Sequence, residues 1–148
     1  MTSPSSTGHP SGGPYEWYQR AMELLDSGNS NAAAILFERV RVEETTPAVL
    51  EGLGRALIDA KRYADAAEVL DELVLLAPDN DYAHFTLGLA LWRMQKFIPA
   101  RDHLAMAFVM RPDRSEYGTA LAQVKATLRM RIADGLPLEG PIQGQEKL

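Results

Sequence analysis

The sequence predicts an all-α fold assembled from repeated helical hairpins. Apolar residues recur at spacings of three and four along seven stretches, most of them bounded by Gly, Pro, Asn or Ser. Small and large side chains also fall at matching places in three consecutive segments, 14–46, 47–80 and 81–114, of 33, 34 and 34 residues. At 148 residues, 46% apolar and 24% charged, the chain is long enough for one soluble domain with a core.

Residues 1–13 are almost all Ser, Thr, Gly and Pro and read as a disordered lead, because they cannot bury enough surface to offset their ordering entropy. Pro14 suits a first helical turn, and Trp17, Ala21, Leu24 and Leu25 follow at helical spacing until Ser27-Gly28. Asn29, Ser30 and Asn31 are N-cap types before a second helix that carries Ala33, Leu36, Phe37 and Val40 on one face. Thr45-Thr46-Pro47 reads as a stop, a cap and an N1 proline; the third helix places Leu50, Leu53, Gly54 and Leu57 together and ends around Ala60-Lys61. A fourth starts at Tyr63, with Ala66, Val69, Leu70, Leu73 and Leu76 as its stripe, and Pro78-Asp79-Asn80 closes it. The fifth begins at Asp81 with His84, Leu87, Gly88 and Leu91, and breaks at Gln95-Lys96. Pro99 falls in the first turn of the sixth, where its missing N–H had no intrahelical partner in any case. The seventh runs from Ser115 through Tyr117, Leu121, Val124, Leu128 and Ile132 towards Gly135. Residues 135–148, rich in Gly and Pro, read as a flexible tail.

Superposing the three segments aligns Ala21, Gly54 and Gly88 at position 8 and Ala33, Ala66 and Ala100 at position 20. Phe37, Leu70 and Leu104 share position 24; Val40, Leu73 and Ala107 share position 27. Small residues let the two helices of a hairpin approach, and the larger ones fill the space towards the next. This pattern resembles the tetratricopeptide repeat family, whose unit is a 34-residue helix-turn-helix with W-x2-L-G-x2-Y…A-x3-F…P. The resemblance rests on Trp17, Ala21, Leu24, Ala33 and Phe37 in the first segment. It rests on Leu53, Gly54, Leu57, Ala66, Leu70 and Pro78 in the second, and on Leu87, Gly88, Leu91, Ala100, Leu104 and Pro112 in the third. Leu50 and His84 depart from it at the tryptophan position, and the first repeat is one residue short with Thr45 in place of proline. What the resemblance implies is a short right-handed α-solenoid over residues 14–134, with residues 115–134 as a terminal capping helix.

For function, the resemblance implies a ligand-binding concave side lined by the first helix of each repeat. Carried over by position, the partner-binding residues are Tyr18, Met22, Arg55, Asp59, Tyr82, Phe85, Leu89, Trp92 and Arg93. Gln19, Leu25, Asp26, Glu51, Gly52, Ile58 and Thr86 occupy neighbouring groove positions, and Thr119 and Gln123 would join from the cap. The fifth helix supports the same surface independently: beside its packing stripe it bears a second apolar one, Tyr82, Phe85, Leu89 and Trp92. Such a stripe either packs between consecutive first helices or meets a partner. The Lys, Asn and Arg clamp that many family members use for a C-terminal carboxylate is absent, since Tyr18, Met22, Glu51, Arg55, Thr86 and Leu89 stand at its places. The expected partner is therefore a protein segment with apolar or aromatic side chains, with Arg55 and Arg93 available for one carboxylate or carbonyl.

Other chemistries find little support. With 15 basic and 20 acidic residues, a formal charge of −5 argues against nucleic acid or an anionic membrane as the partner of the whole chain. There is no cysteine, no run of about 18 apolar residues and no signal-peptide pattern, so a cytoplasmic location is the default expectation. No cofactor, metal or catalytic residue is expected. Asp102 and His103 are adjacent on a helix and point apart, His84 reads as a structural histidine, and Gly52 and Gly54 lie within a helix rather than a phosphate loop. Two alternatives stay open. One is RNA contact through Arg111, Arg114, Lys125, Arg129 and Arg131; the other is a homo-oligomer, or a groove filled by the chain's own tail through Leu136, Leu138 and Ile142.

Overall fold

Local signals set the helix ends. In the computed structural model, which describes residues 12–142, every regular element is a helix. These are α1 (Pro14–Asp26), α2 (Ser30–Glu43), α3 (Pro47–Asp59), α4 (Tyr63–Leu76), α5 (Asp81–Arg93), α6 (Phe97–Met110) and α7 (Ser115–Ala133). Most of the expected lead, residues 1–11, and the last part of the tail, residues 143–148, lie outside the described residues. The Thr46 hydroxyl accepts from the Val49 amide at 3.2 Å with Pro47 at N1, and the Asn80 side chain accepts from the Ala83 amide at 3.0 Å. Asn29 heads α2 without a side-chain cap bond; its amide side chain donates to Ser27 instead.

Four helices end in one geometry. After α1, α3, α5 and α7 a residue takes positive φ: Gly28 at 88°, Lys61 at 63°, Gln95 at 59° and Gly135 at 66°. Its amide donates to Leu25, Ile58, Trp92 or Ile132, and the next amide donates to Leu24, Leu57, Leu91 or Arg131. This pair of bonds is the Schellman closure, which satisfies carbonyls a helix end would leave open.

Two compact units divide the chain between Arg62 and Tyr63. In the first, α2 packs on α1 and α3. Phe37, Leu50, Leu53 and Leu57 are buried, and full burial of such side chains contributes about 1.5 to 3 kcal/mol each. Gly52 lies under the Phe37 ring: a Cβ there would come within 2.5 Å of Cζ. In the second unit Phe97, Ala100 and Leu104 of α6 meet Leu121, Val124 and Leu128 of α7 in one core cluster. Gly88 of α5 abuts it, since a Cβ would lie 2.6 Å from Leu104 Cγ and 3.3 Å from the Ala100 carbonyl oxygen. The small residue expected at position 8 is thus needed for close approach in the α5–α6 hairpin.

Two expected stripe residues point outward. Leu76 is 54% exposed and Ile132 is 64% exposed, whereas Arg131 is buried at 4%. In α7 the buried series runs Tyr117, Leu121, Val124, Leu128 and Arg131, so its last step is three residues and not the four that an apolar reading selects.

Candidate functional site

The first helices position the candidate residues through their buried faces, which turn the flanking positions outward. In the first unit Tyr18 is half-buried and edge-on to Phe37, at 5.8 Å between ring centroids and 69° between planes. Met22 is half-buried on the same helix; on α3, Arg55 is half-buried and Asp59 exposed. Leu25 and Gly52 are buried in packing contacts, which removes them from the ligand face.

The second unit gathers the aromatic residues. Tyr82, Phe85, Leu89 and Trp92 are all half-buried on α5, and the Tyr82 and Phe85 rings are 6.2 Å apart. Phe85 also lies 4.6 Å from the Tyr117 ring, and Trp92 meets Phe97 edge-on at 5.4 Å. Both pack against the core cluster. Phe85 and Trp92 therefore also bind α5 to α7 and α6, so the packing alternative holds for part of the second stripe. Thr86 is buried, its hydroxyl donating to the carbonyls of Tyr82 and Ala83. Arg93 is exposed, with its guanidinium 5.6 Å from the centre of the Tyr63 ring. From the cap, Thr119 and Gln123 are exposed.

Polar groups beneath this face are satisfied. Tyr117 donates to Asp81 at 2.6 Å, and burial, then that bond, pushes the phenol above its ordinary range. His84 is buried, with Nε2 at 2.9 Å from the Pro78 carbonyl and Nδ1 at 3.1 Å from Nδ1 of His103. The ring centroids are 5.3 Å apart with planes only 23° apart, so the rings meet nitrogen to nitrogen rather than face to face. Since Nε2 must donate to a carbonyl, neutral His84 presents a lone pair at Nδ1 and His103 supplies the proton between them. Burial first, and His84 second, hold His103 below its ordinary pKa.

Sequence reasoning missed this pair and a second surface beside it. Pro78, His84, Ala105, Met106, Val109 and Met110 line an open cleft of about 400 Å³. Met106, Val109 and Met110, spaced i, i+3 and i+4, were the available signal, and all three are exposed. Among the cations of the RNA alternative, Arg111 forks onto Asp113 at 2.9 and 3.0 Å, holding that carboxyl at about 2, and Arg114 reaches Glu116 at 3.6 Å. Arg131 is buried, leaving Lys125 and Arg129 exposed. Among the described residues no group of three or more His, Asp or Glu could hold a metal, and no helix is long and apolar enough to cross a membrane.

Comparison with known proteins agrees with the repeat register. Among curated proteins none matches this sequence. Solved structures do. The 41-to-end fragment of MamA from Desulfovibrio magneticus RS-1 superposes with a TM-score of 0.75 at 23% identity, over 77% of this chain and 65% of that one. The Sgt2 TPR domain from Aspergillus fumigatus gives 0.76 at 14% identity over 91% of each chain. The first TPR of Spaghetti (RPAP3), solved bound to the HSP90 peptide SRMEEVD, gives 0.75 at 16% identity over 78% of this chain and 93% of that one. At these identities the likeness shows the fold, and this chain spans just under two thirds of the MamA fragment's length. Two profiles of the tetratricopeptide repeat match residues 18–81 and 57–124, which together hold the three aligned repeats except residues 14–17. By these matches and its helical hairpins, the chain belongs to the tetratricopeptide repeat family.

Proposed function

We propose that this chain is a non-catalytic interaction adaptor that takes a protein segment with apolar or aromatic side chains, an extended peptide or one face of an amphipathic helix, on its first helices. The observation that carries this reading is the half-buried run Tyr82, Phe85, Leu89 and Trp92 along α5, beside the exposed cation of Arg93. Half-burial fixes the rings while leaving apolar area for a partner, the condition under which aromatic side chains anchor an interface. Tyr18 and Met22 on α1, and Arg55 and Asp59 on α3, are the corresponding contacts in the first unit.

Solved relatives support peptide binding as the mode, with one difference in chemistry. The RPAP3 domains were solved with peptides ending in EEVD. Here Tyr18, Met22, Thr86 and Leu89 replace polar and basic groups that would hold such a carboxylate end, so an apolar segment fits better. A peptide library selected on the intact protein tests this. Selected peptides should be rich in aromatic and aliphatic residues, and Tyr82→Ala or Leu89→Ala should weaken them by about 1 to 3 kcal/mol with unchanged helical content. Selected peptides that bind the Tyr82→Ala, Leu89→Ala double variant as tightly as the native protein would remove α5 as the site.

A further inference from the structure

The end of α7 combines a repeated turn with a residue that does not belong to the repeat. In the Schellman closures of α1, α3 and α5 the residue that receives the outer bond is Leu24, Leu57 or Leu91; in α7 it is Arg131. After the first three closures the chain enters a second helix. After the fourth, the chain bends over residues 138–140 and turns back on the unit. One nitrogen of the Arg131 guanidinium donates to the Pro137 carbonyl at 2.9 Å and to the Gly140 carbonyl at 2.7 Å. The group lies 4.8 Å from the Phe97 ring centre, and the Gly140 amide donates to the Gln95 carbonyl at 2.9 Å. The residues 136–140, expected as the start of a flexible tail, are thus tied back by backbone contacts.

These hydrogen bonds read the main chain of the segment and not its side chains. Arg131 is 4% exposed, its Nε is buried without a hydrogen-bond partner, and among the described residues no carboxylate meets it. A buried guanidinium costs free energy unless acceptors reach it, so the position is explained by two carbonyls that a bend in the following chain brings together on it. The segment itself is shallow: Pro137, Leu138 and Glu139 are exposed. Strong receptor features paired with a lightly buried occupant describe a site whose occupant can be exchanged.

We propose that Arg131, Phe97 and Gln95 form a receptor for the bent main chain of residues 136–140, filled here in cis and able to take the same segment from a second copy of the chain. The receptor borders the α5 face, where Phe97 meets Trp92, but its contacts to residues 136–140 do not depend on the role of that face. In cis the segment follows Gly135, whose positive φ turns it back, so its local concentration excludes a competitor until it is released. Gly140 provides that release. Its φ of 79° is one that a β-branched residue avoids, and no atom lies within 4 Å of where a Cβ would stand, so Gly140→Val frees the tail through backbone conformation without touching the receptor.

The test uses the full chain and a synthetic peptide of residues 136–142, LPLEGPI. In the Gly140→Val protein the peptide should shift the NMR resonances of Gln95, Phe97 and the Arg131 Nε–H saturably, with an apparent affinity roughly tenfold or more above that for the native chain. A peptide carrying valine in place of its glycine should leave those resonances unmoved, a control that changes nothing in the protein. Equal responses from native and variant chains, equal binding of the two peptides, or no response to either would overturn the proposal.

Discussion

In the first unit a phenylalanine closes over a glycine; in the second a leucine does. Gly52 and Phe37 belong to successive hairpins, while Gly88 and Leu104 belong to one hairpin. The same rule, a small residue beneath a large one, therefore fixes two different interfaces, between repeats in one case and within a repeat in the other. The obstruction also differs. At Gly52 the nearest atoms are the far end of a ring, whereas at Gly88 they include a branch carbon and, at 3.3 Å, main chain.

The largest expected effect lies at this contrast. Gly88→Leu should cost about 3 kcal/mol and Gly52→Ala about 1 to 2 kcal/mol in urea unfolding. Adding Phe37→Leu should recover part of the Gly52→Ala loss, because it removes the atoms the new Cβ strikes; no recovery would mean that the backbone sets the fit. The aromatic residues of the two first helices differ next. Phe85→Ala, which takes a ring off Tyr117, should cost about 2 kcal/mol, and Tyr18→Ala, half-buried on Phe37, about 1 kcal/mol. Equal losses would show that Phe85 contributes no more to packing than Tyr18.

The smallest effect concerns a feature found in the second unit, the histidine pair. Burial and the neighbouring His84 depress His103, while Asp71 on α4 and the adjacent Asp102 favour its charged form. The unfolded chain then takes up the proton first, near the ordinary 6.5, so stability is complete above that value and falls as pH drops through the folded-state pKa. Melting temperature should decline as pH falls below about 6.5 in the native chain and less in His103→Gln. Parallel curves would show that other groups set the pH dependence.

These contrasts mark how far the sequence could be read. Helix ends were legible at Thr46-Pro47, Asn80 and Gly135, because caps, prolines and glycines act on their own few residues. The buried stripes were legible until their last turns. Periodicity ranks Ile132 above Arg131 by polarity alone; what reverses them is a pair of carbonyls brought by residues further along the chain. Phe85 is a similar case, since its neighbour Tyr117 is 32 residues away and no spacing rule connects them. Helical geometry turned His103 away from Asp102, but its partner His84 lies across the hairpin, where sequence spacing does not point. The candidate face was legible as a second stripe on α5, and its division between packing and partner was not, because that depends on what α7 covers.

The left-handed turns carry a last consequence, for engineering. Lys61 and Gln95 hold the same positive φ as Gly28 and Gly135, and a side chain in that region costs about 1 to 2 kcal/mol relative to the right-handed one. The closing hydrogen bonds hold both residues there. Each turn is therefore a small reserve of strain at an accessible edge of the fold. Glycine at either position would relieve it without touching the core or the candidate face, which makes these two sites the first places to raise the protein's endurance.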